Sequence, residues 1–91
     1  MSQMRHEPVE DVVTATLDDE TVLLNVVSGV YFGLDEVGTR IWQLMVDGGD
    51  HDAIVSRLAD EYDVGVPQLS SDVSAFLAEL QAQGLVRGVV S

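Results

Sequence analysis

Cysteine is absent from the 91 residues. That excludes a disulfide framework, a thiol nucleophile and a cysteine-ligated metal. Lysine is absent too, and the basic side chains are Arg5, Arg40, Arg57 and Arg87. Without lysine there is no Schiff-base amine and no Walker-type phosphate contact. Four arginines against sixteen aspartates and glutamates leave a formal charge of −12. Nucleic acid and anionic membranes both reward clusters of basic side chains, so neither is an expected partner. No apolar run approaches the roughly 20 residues of a membrane span. The opening Met-Ser-Gln-Met-Arg-His-Glu lacks the apolar stretch of a signal peptide. A cytoplasmic location is the expectation.

What is present is apolar and short. Hydrophobic residues make up 46% of the chain, too many for a disordered acidic tail. A chain of this length forms one domain and buries only roughly 60–65% of its unfolded surface. Residues 1–11 are polar and read as a flexible lead-in, leaving residues 12–91 as the domain. Val12–Leu17 alternates, with Val13, Ala15 and Leu17 on one face and two threonines on the other, which predicts a strand. Asp18-Asp19 marks a turn, and residues 21–27 predict a second strand. Ser28-Gly29 predicts a two-residue hairpin turn, with Val27 opposite Val30 and Asn25 opposite Phe32. Val30-Tyr31-Phe32-Gly33-Leu34 is the return strand.

At Asp35 the period changes. Val37, Ile41, Leu44 and Met45 recur at helical spacing behind Asp35 as N-cap, and Gly48-Gly49 stops the helix. Asp50 caps a second helix with the stripe Ile54, Val55, Leu58, Ala59 and Tyr62. Pro67 suits the first turn of a third, whose stripe is Leu69, Val73, Phe76, Leu77 and Leu80, ended by Gly84. Leu85–Val90 is a short apolar tail that can pack on the core or form a small strand. The fold class is therefore α+β: a three-stranded antiparallel sheet followed by three helices.

Catalytic chemistry finds little to stand on. His6 and His51 are both read as surface residues, and no nucleophile–base pair, metalloprotease helix or phosphate loop is present. The acidic run Asp47-Gly48-Gly49-Asp50-His51-Asp52 lacks EF-hand spacing and reads as a helix stop followed by a helix start. No cofactor or metal is expected. Two binding surfaces remain. One is the edge strand Val30–Leu34, free of charge and proline, whose backbone can accept another strand. The other is the third helix, where Asp72 stands one turn before Phe76 and could meet a basic group beside an apolar pocket.

The run Leu23-Leu24-Asn25-x-x-Ser28-Gly29-x-Tyr31-Phe32-x-Leu34-Asp35-x-x-Gly38-x-x-Ile41-Trp42-x-Leu44 resembles the PqqD-like domains, the recognition elements of ribosomally made, post-translationally modified peptide pathways. Asp72-Val73-x-x-Phe76-Leu77-x-x-Leu80-x-x-x-Gly84-Leu85 is similar to their third helix. A free-standing, acidic, arginine-only chain looks most like the leader-binding protein of lasso peptide pathways. The resemblance spans about residues 12–86 and implies a winged-helix-like fold. It also implies that a precursor's leader adds as a further strand along Val30, Tyr31, Phe32, Gly33 and Leu34, in a groove closed by Asp72, Val73, Phe76, Leu77 and Leu80. Lasso leaders carry a Tyr-x-x-Pro-x-Leu motif whose side chains enter apolar pockets. The implied partners are that leader, a separate cysteine leader peptidase and an ATP-dependent lasso cyclase; this chain lacks the groups for either activity. Gly33 departs from the bulkier residue of many relatives. A winged-helix DNA-binding regulator is the alternative function of such a fold, opposed by a third helix without arginine or lysine over residues 67–84.

Overall fold

The computed structural model describes residues 4–90. In chain order the elements are β1 (Met4–Pro8), β2 (Val12–Leu17), β3 (Glu20–Asn25), β4 (Tyr31–Leu34), α1 (Glu36–Val46), α2 (His51–Glu61), α3 (Val66–Ala82) and β5 (Val86–Val90). The α+β class, the antiparallel sheet β2–β3–β4 and the three helices stand as the sequence predicts. Two strands were not expected as a pair. β1 pairs antiparallel with β5, with Arg5 opposite Val89 and Glu7 opposite Arg87. The lead-in of residues 1–11 is thus a strand over Met4–Pro8, and its residues 1–3 lie outside the described ones. Its polar sequence carries no local strand pattern; the partner that satisfies its backbone comes from the other end of the chain. Arg87 fastens the ribbon, its Nε donating to Glu7 Oε1 at 2.8 Å and its Nη2 lying 2.8 Å from Glu10 Oε1.

The β3–β4 connection also differs from expectation. Asn25 N donates to Val30 O at 2.9 Å, so Asn25 faces Val30 and Leu23 faces Phe32. The loop holds four residues, 26–29, rather than two. Asn25 decides this. Its Oδ1 accepts from the backbone N–H groups of Val27 and Ser28, both at 3.0 Å, and its carbonyl accepts from Gly29 N at 2.8 Å. Gly29 closes the loop at φ 78°. The slip is two residues, so no side chain changes face.

Each helix starts as its cap dictates. Asp35 Oδ1 accepts from Gly38 N at 2.8 Å, and Asp50 Oδ1 accepts from Ala53 N at 2.9 Å. Gly48 and Gly84, at φ 94° and 76°, follow the ends of α1 and α3. The core joins Leu23 and Leu34 of the sheet to Ile41, Trp42 and Met45 of α1, Ile54, Val55 and Leu58 of α2, and Leu69, Val73, Leu77 and Leu80 of α3. Leu85 and Val86, at the start of β5, complete it. Val37, assigned to the α1 stripe by spacing, is instead exposed, while Gly38 and Thr39 are buried.

The sheet has one covered face. Thr21, Leu23 and Asn25 of β3 point inward. Val22 and Leu24 point outward, beside Val13, Ala15 and Leu17 of β2 and Tyr31 of β4. The apolar face of β2 is therefore turned to solvent; Thr14 and Thr16 on its other side are exposed as well, and Val12 is the residue of this strand that packs on the core. No helix among the described residues is long and apolar enough to cross a membrane.

Candidate functional site

β4 is the edge of the sheet in the order β2–β3–β4, and among the described residues no strand pairs with its outer side. In an antiparallel pair, successive residues direct their backbone groups alternately to one neighbour and the other. The Asn25–Val30 bond fixes the phase. Val30, Phe32 and Leu34 bond toward β3, whereas Tyr31 and Gly33 present their N–H and C=O groups to the open side. The sequence nominates all five residues from Val30 to Leu34 as backbone donors and acceptors; the register narrows these to two. Tyr31 and Gly33 are exposed, Phe32 is half-buried and Leu34 is in the core.

α3 meets this edge through Phe76. The anchor is Gly38, in the first turn of α1. A methyl group placed on Gly38 would lie 3.3 Å from Phe76 Cε1, 3.3 Å from Asp35 Oδ1 and 3.4 Å from Leu34 Cβ. The end of β4, the cap of α1 and the Phe76 ring therefore converge on a residue with no side chain. Phe32 and Phe76 both remain half-buried and pack on the core's margin. Phe32 on β4 and Phe76, which reaches the Leu34 end of the same strand, are the apolar side chains that wall this edge. A glycine inside an apolar helical pattern is the sequence signal for such close approach.

The other nominated residues divide. Val73, Leu77 and Leu80 are at most 2% exposed, so they hold α3 in the core rather than face solvent. Asp72 is exposed and accepts from Gln68 Nε2 at 2.9 Å, one turn earlier on the same helix. The candidate site comprises Tyr31, Phe32 and Gly33 of β4 with Phe76 of α3, which meets the strand at Leu34.

His51 fixes where α3 lies. Instead of a free surface imidazole, its Nε2 lies 3.0 Å from Ser70 O and 2.9 Å from Ser74 Oγ, with Nδ1 at 3.2 Å from Asp52 Oδ1. The start of α2 is thus tied to consecutive turns of α3. The Ser70 carbonyl raises the His51 pKa above its ordinary value, and Asp52 adds to the effect against the opposing burial. Asn25 makes a second tie: its Nδ2 donates to Gly84 O at 3.2 Å, linking the loop before β4 to the end of α3. Spacing alone could not reveal either tie, because the partners lie 19 to 59 residues away in sequence.

Residues 20–86 match the family model described as Coenzyme PQQ synthesis protein D (PqqD). The chain belongs to the PqqD family. Two solved structures share its fold. "TbiB1 in Complex with the TbiA(beta) Leader Peptide" is 41% identical, with a TM-score of 0.86 over 89% of this chain and 94% of that one. "Lasso peptide synthetase B1 complexed with the leader peptide" is 25% identical, with a TM-score of 0.85 over 91% of this chain and 98% of that one. No curated protein matches the chain. The DNA-binding alternative finds no support in these relatives, and α3 offers a duplex no arginine or lysine.

Proposed function

We propose that this PqqD-family protein is a non-catalytic module that captures the leader region of a ribosomally made precursor peptide of the lasso class. The leader adds as a fourth strand along β4. The bound precursor is then presented in the cytoplasm to a separate leader peptidase and a lasso cyclase. The open edge at Tyr31 and Gly33, beside the Phe32–Phe76 wall, carries the reading. Backbone groups there accept a strand of almost any sequence, and the aromatic wall adds selectivity. The relatives titled as leader complexes, one of them 41% identical, support the same occupant.

Each apolar leader side chain buried on this wall contributes about 1.5–3 kcal/mol before the cost of ordering the peptide. Two or three such anchors are enough for submicromolar affinity. Titration of a fluorescein-labelled leader carrying Tyr-x-x-Pro-x-Leu tests the reading. Wild type is expected to bind, and Phe76→Ala and Phe76→Glu to bind at least tenfold more weakly with an unchanged circular dichroism spectrum. Unchanged affinity in both variants, or no binding by wild type, overturns it.

A further inference from the structure

On the outer face of the sheet the side chains lie in rows. Val13, Leu24 and Tyr31 form one row, and Ala15, Val22 and Gly33 the next. Both rows end at β4, the second in a residue without a side chain. A Cβ on Gly33 would meet no heavy atom within 4 Å, and Gly33 has no left-handed backbone angle. Nothing in the fold requires glycine there, and in a strand glycine is a poor choice on propensity alone. The outer face therefore has a notch at its open edge. Its floor is the Gly33 backbone, its back wall is Val22 at 44% exposure, and the exposed Tyr31 flanks it on the same face.

Gly33 also carries one of the two sets of free backbone groups on β4. A peptide strand bonded there places one residue directly opposite Gly33, its side chain on the same outer face. Neighbouring strands are about 4.8 Å apart. A short side chain on that residue stops above its own strand. An aromatic or long aliphatic one can bend across the glycine to reach Val22, as cross-strand aromatics cover glycine in sheets. No charged residue lies in either row.

We propose that Gly33 is a specificity-determining position that selects a bulky apolar side chain at the peptide residue opposite it. The inference rests on strand addition at β4 and adds a readout on the face away from Phe76. The bound peptide is then read on both faces: by the aromatic wall inside and by the notch outside.

The test uses fluorescence polarisation with a set of 20-residue synthetic peptides built around Tyr-x-x-Pro-x-Leu. Each position in turn is Ala, Leu or Trp. The proteins are wild type, Gly33→Ala and Gly33→Val. Wild type is expected to favour Leu or Trp over Ala by about five- to twentyfold at one position where Gly33→Val reduces the preference below twofold. Gly33→Ala falls between, and preferences at other positions are unchanged. Both variants should melt at or above the wild-type temperature, since the added carbons enter open space. Identical position-by-position preferences in wild type and Gly33→Val overturn the inference while leaving strand addition intact. Loss of all peptide binding in both variants also overturns it, because Gly33 would then be needed for backbone approach rather than selection. Failure of wild type to bind any peptide overturns the strand-addition reading itself.

Discussion

Gly38→Ala adds a single carbon at the point where three elements meet. In an open helix the change would help, because alanine is better than glycine by about 0.8–1 kcal/mol. Here the new methyl would sit 3.3–3.4 Å from Phe76 Cε1, Asp35 Oδ1 and Leu34 Cβ. Two of the three cannot yield freely. Leu34 is locked in the core, and Asp35 holds the α1 cap through Gly38 N at 2.8 Å. Overpacking of this kind costs about 1–3 kcal/mol, and loosening the cap about 1 more. The helix gain offsets part of this, so the expected net loss is about 1–3 kcal/mol. For a domain of this size that lowers the melting temperature by roughly 4–24 °C. Thermal and urea unfolding followed by the fluorescence of Trp42, which is buried in the same core, reads the change. Leu34 is fixed by the core and Asp35 by its cap bond, so the half-buried Phe76 ring is the one expected to move. Leader affinity should therefore fall at temperatures where the variant is fully folded. A variant as stable as wild type or more so, with unchanged leader affinity, would refute the convergence of β4, α1 and α3 on Gly38.

Other perturbations separate the remaining interactions. Asn25→Ala strips the acceptor from the Val27 and Ser28 N–H groups and the donor from Gly84 O; urea unfolding should show a loss of about 1–3 kcal/mol. Thr39 is 4% exposed and its Oγ1 has no hydrogen-bond partner, so Thr39→Val should leave stability unchanged or raise it by up to about 1 kcal/mol in the same assay. His51 binds its proton more tightly when folded, so its contribution to stability is full below the unfolded pKa of about 6.5 and is lost as pH rises through the raised folded value. Unfolding free energies measured from pH 5 to pH 9 should decline across that window in wild type and less steeply in His51→Gln; parallel profiles would remove His51 from the linkage. Leu80→Ala, at a fully buried α3 position, should cost about 2–5 kcal/mol by urea unfolding, which places Leu80 in the core rather than on the peptide surface.

Local patterns were legible wherever a residue acts on its immediate neighbours. Asp35 and Asp50 cap the helices that their positions announce, because a cap needs only the next turn's N–H groups. Ile54, Val55 and Leu58 of the α2 stripe and all of the α3 stripe but Phe76 are buried as their spacing implies, while Ala59 and Tyr62 are half-buried. The β4 half of the proposed binding surface was nominated for the same reason, since an uncharged strand marks itself as an open edge. Phe76 could not be told from its neighbours. On a helical wheel it belongs with Val73, Leu77 and Leu80, and only the packing shows that they are buried while Phe76 remains half-buried.

The amino-acid sequence by itself determined the α+β class, the order of the hairpin and helices, the anionic and lysine-free surface, and an uncharged strand ready for pairing. These follow from periodicity, caps and composition, all properties of short stretches. Tertiary structure decided what depends on distant partners. It put Met4–Pro8 into a ribbon with β5 and set the β3–β4 register through the bonds of Asn25. It turned Tyr31 and Gly33 to the open side and brought Phe76 against Gly38. Such contacts are fixed by how the whole chain closes on one small core. The residues that make them carry no mark of it until that core exists.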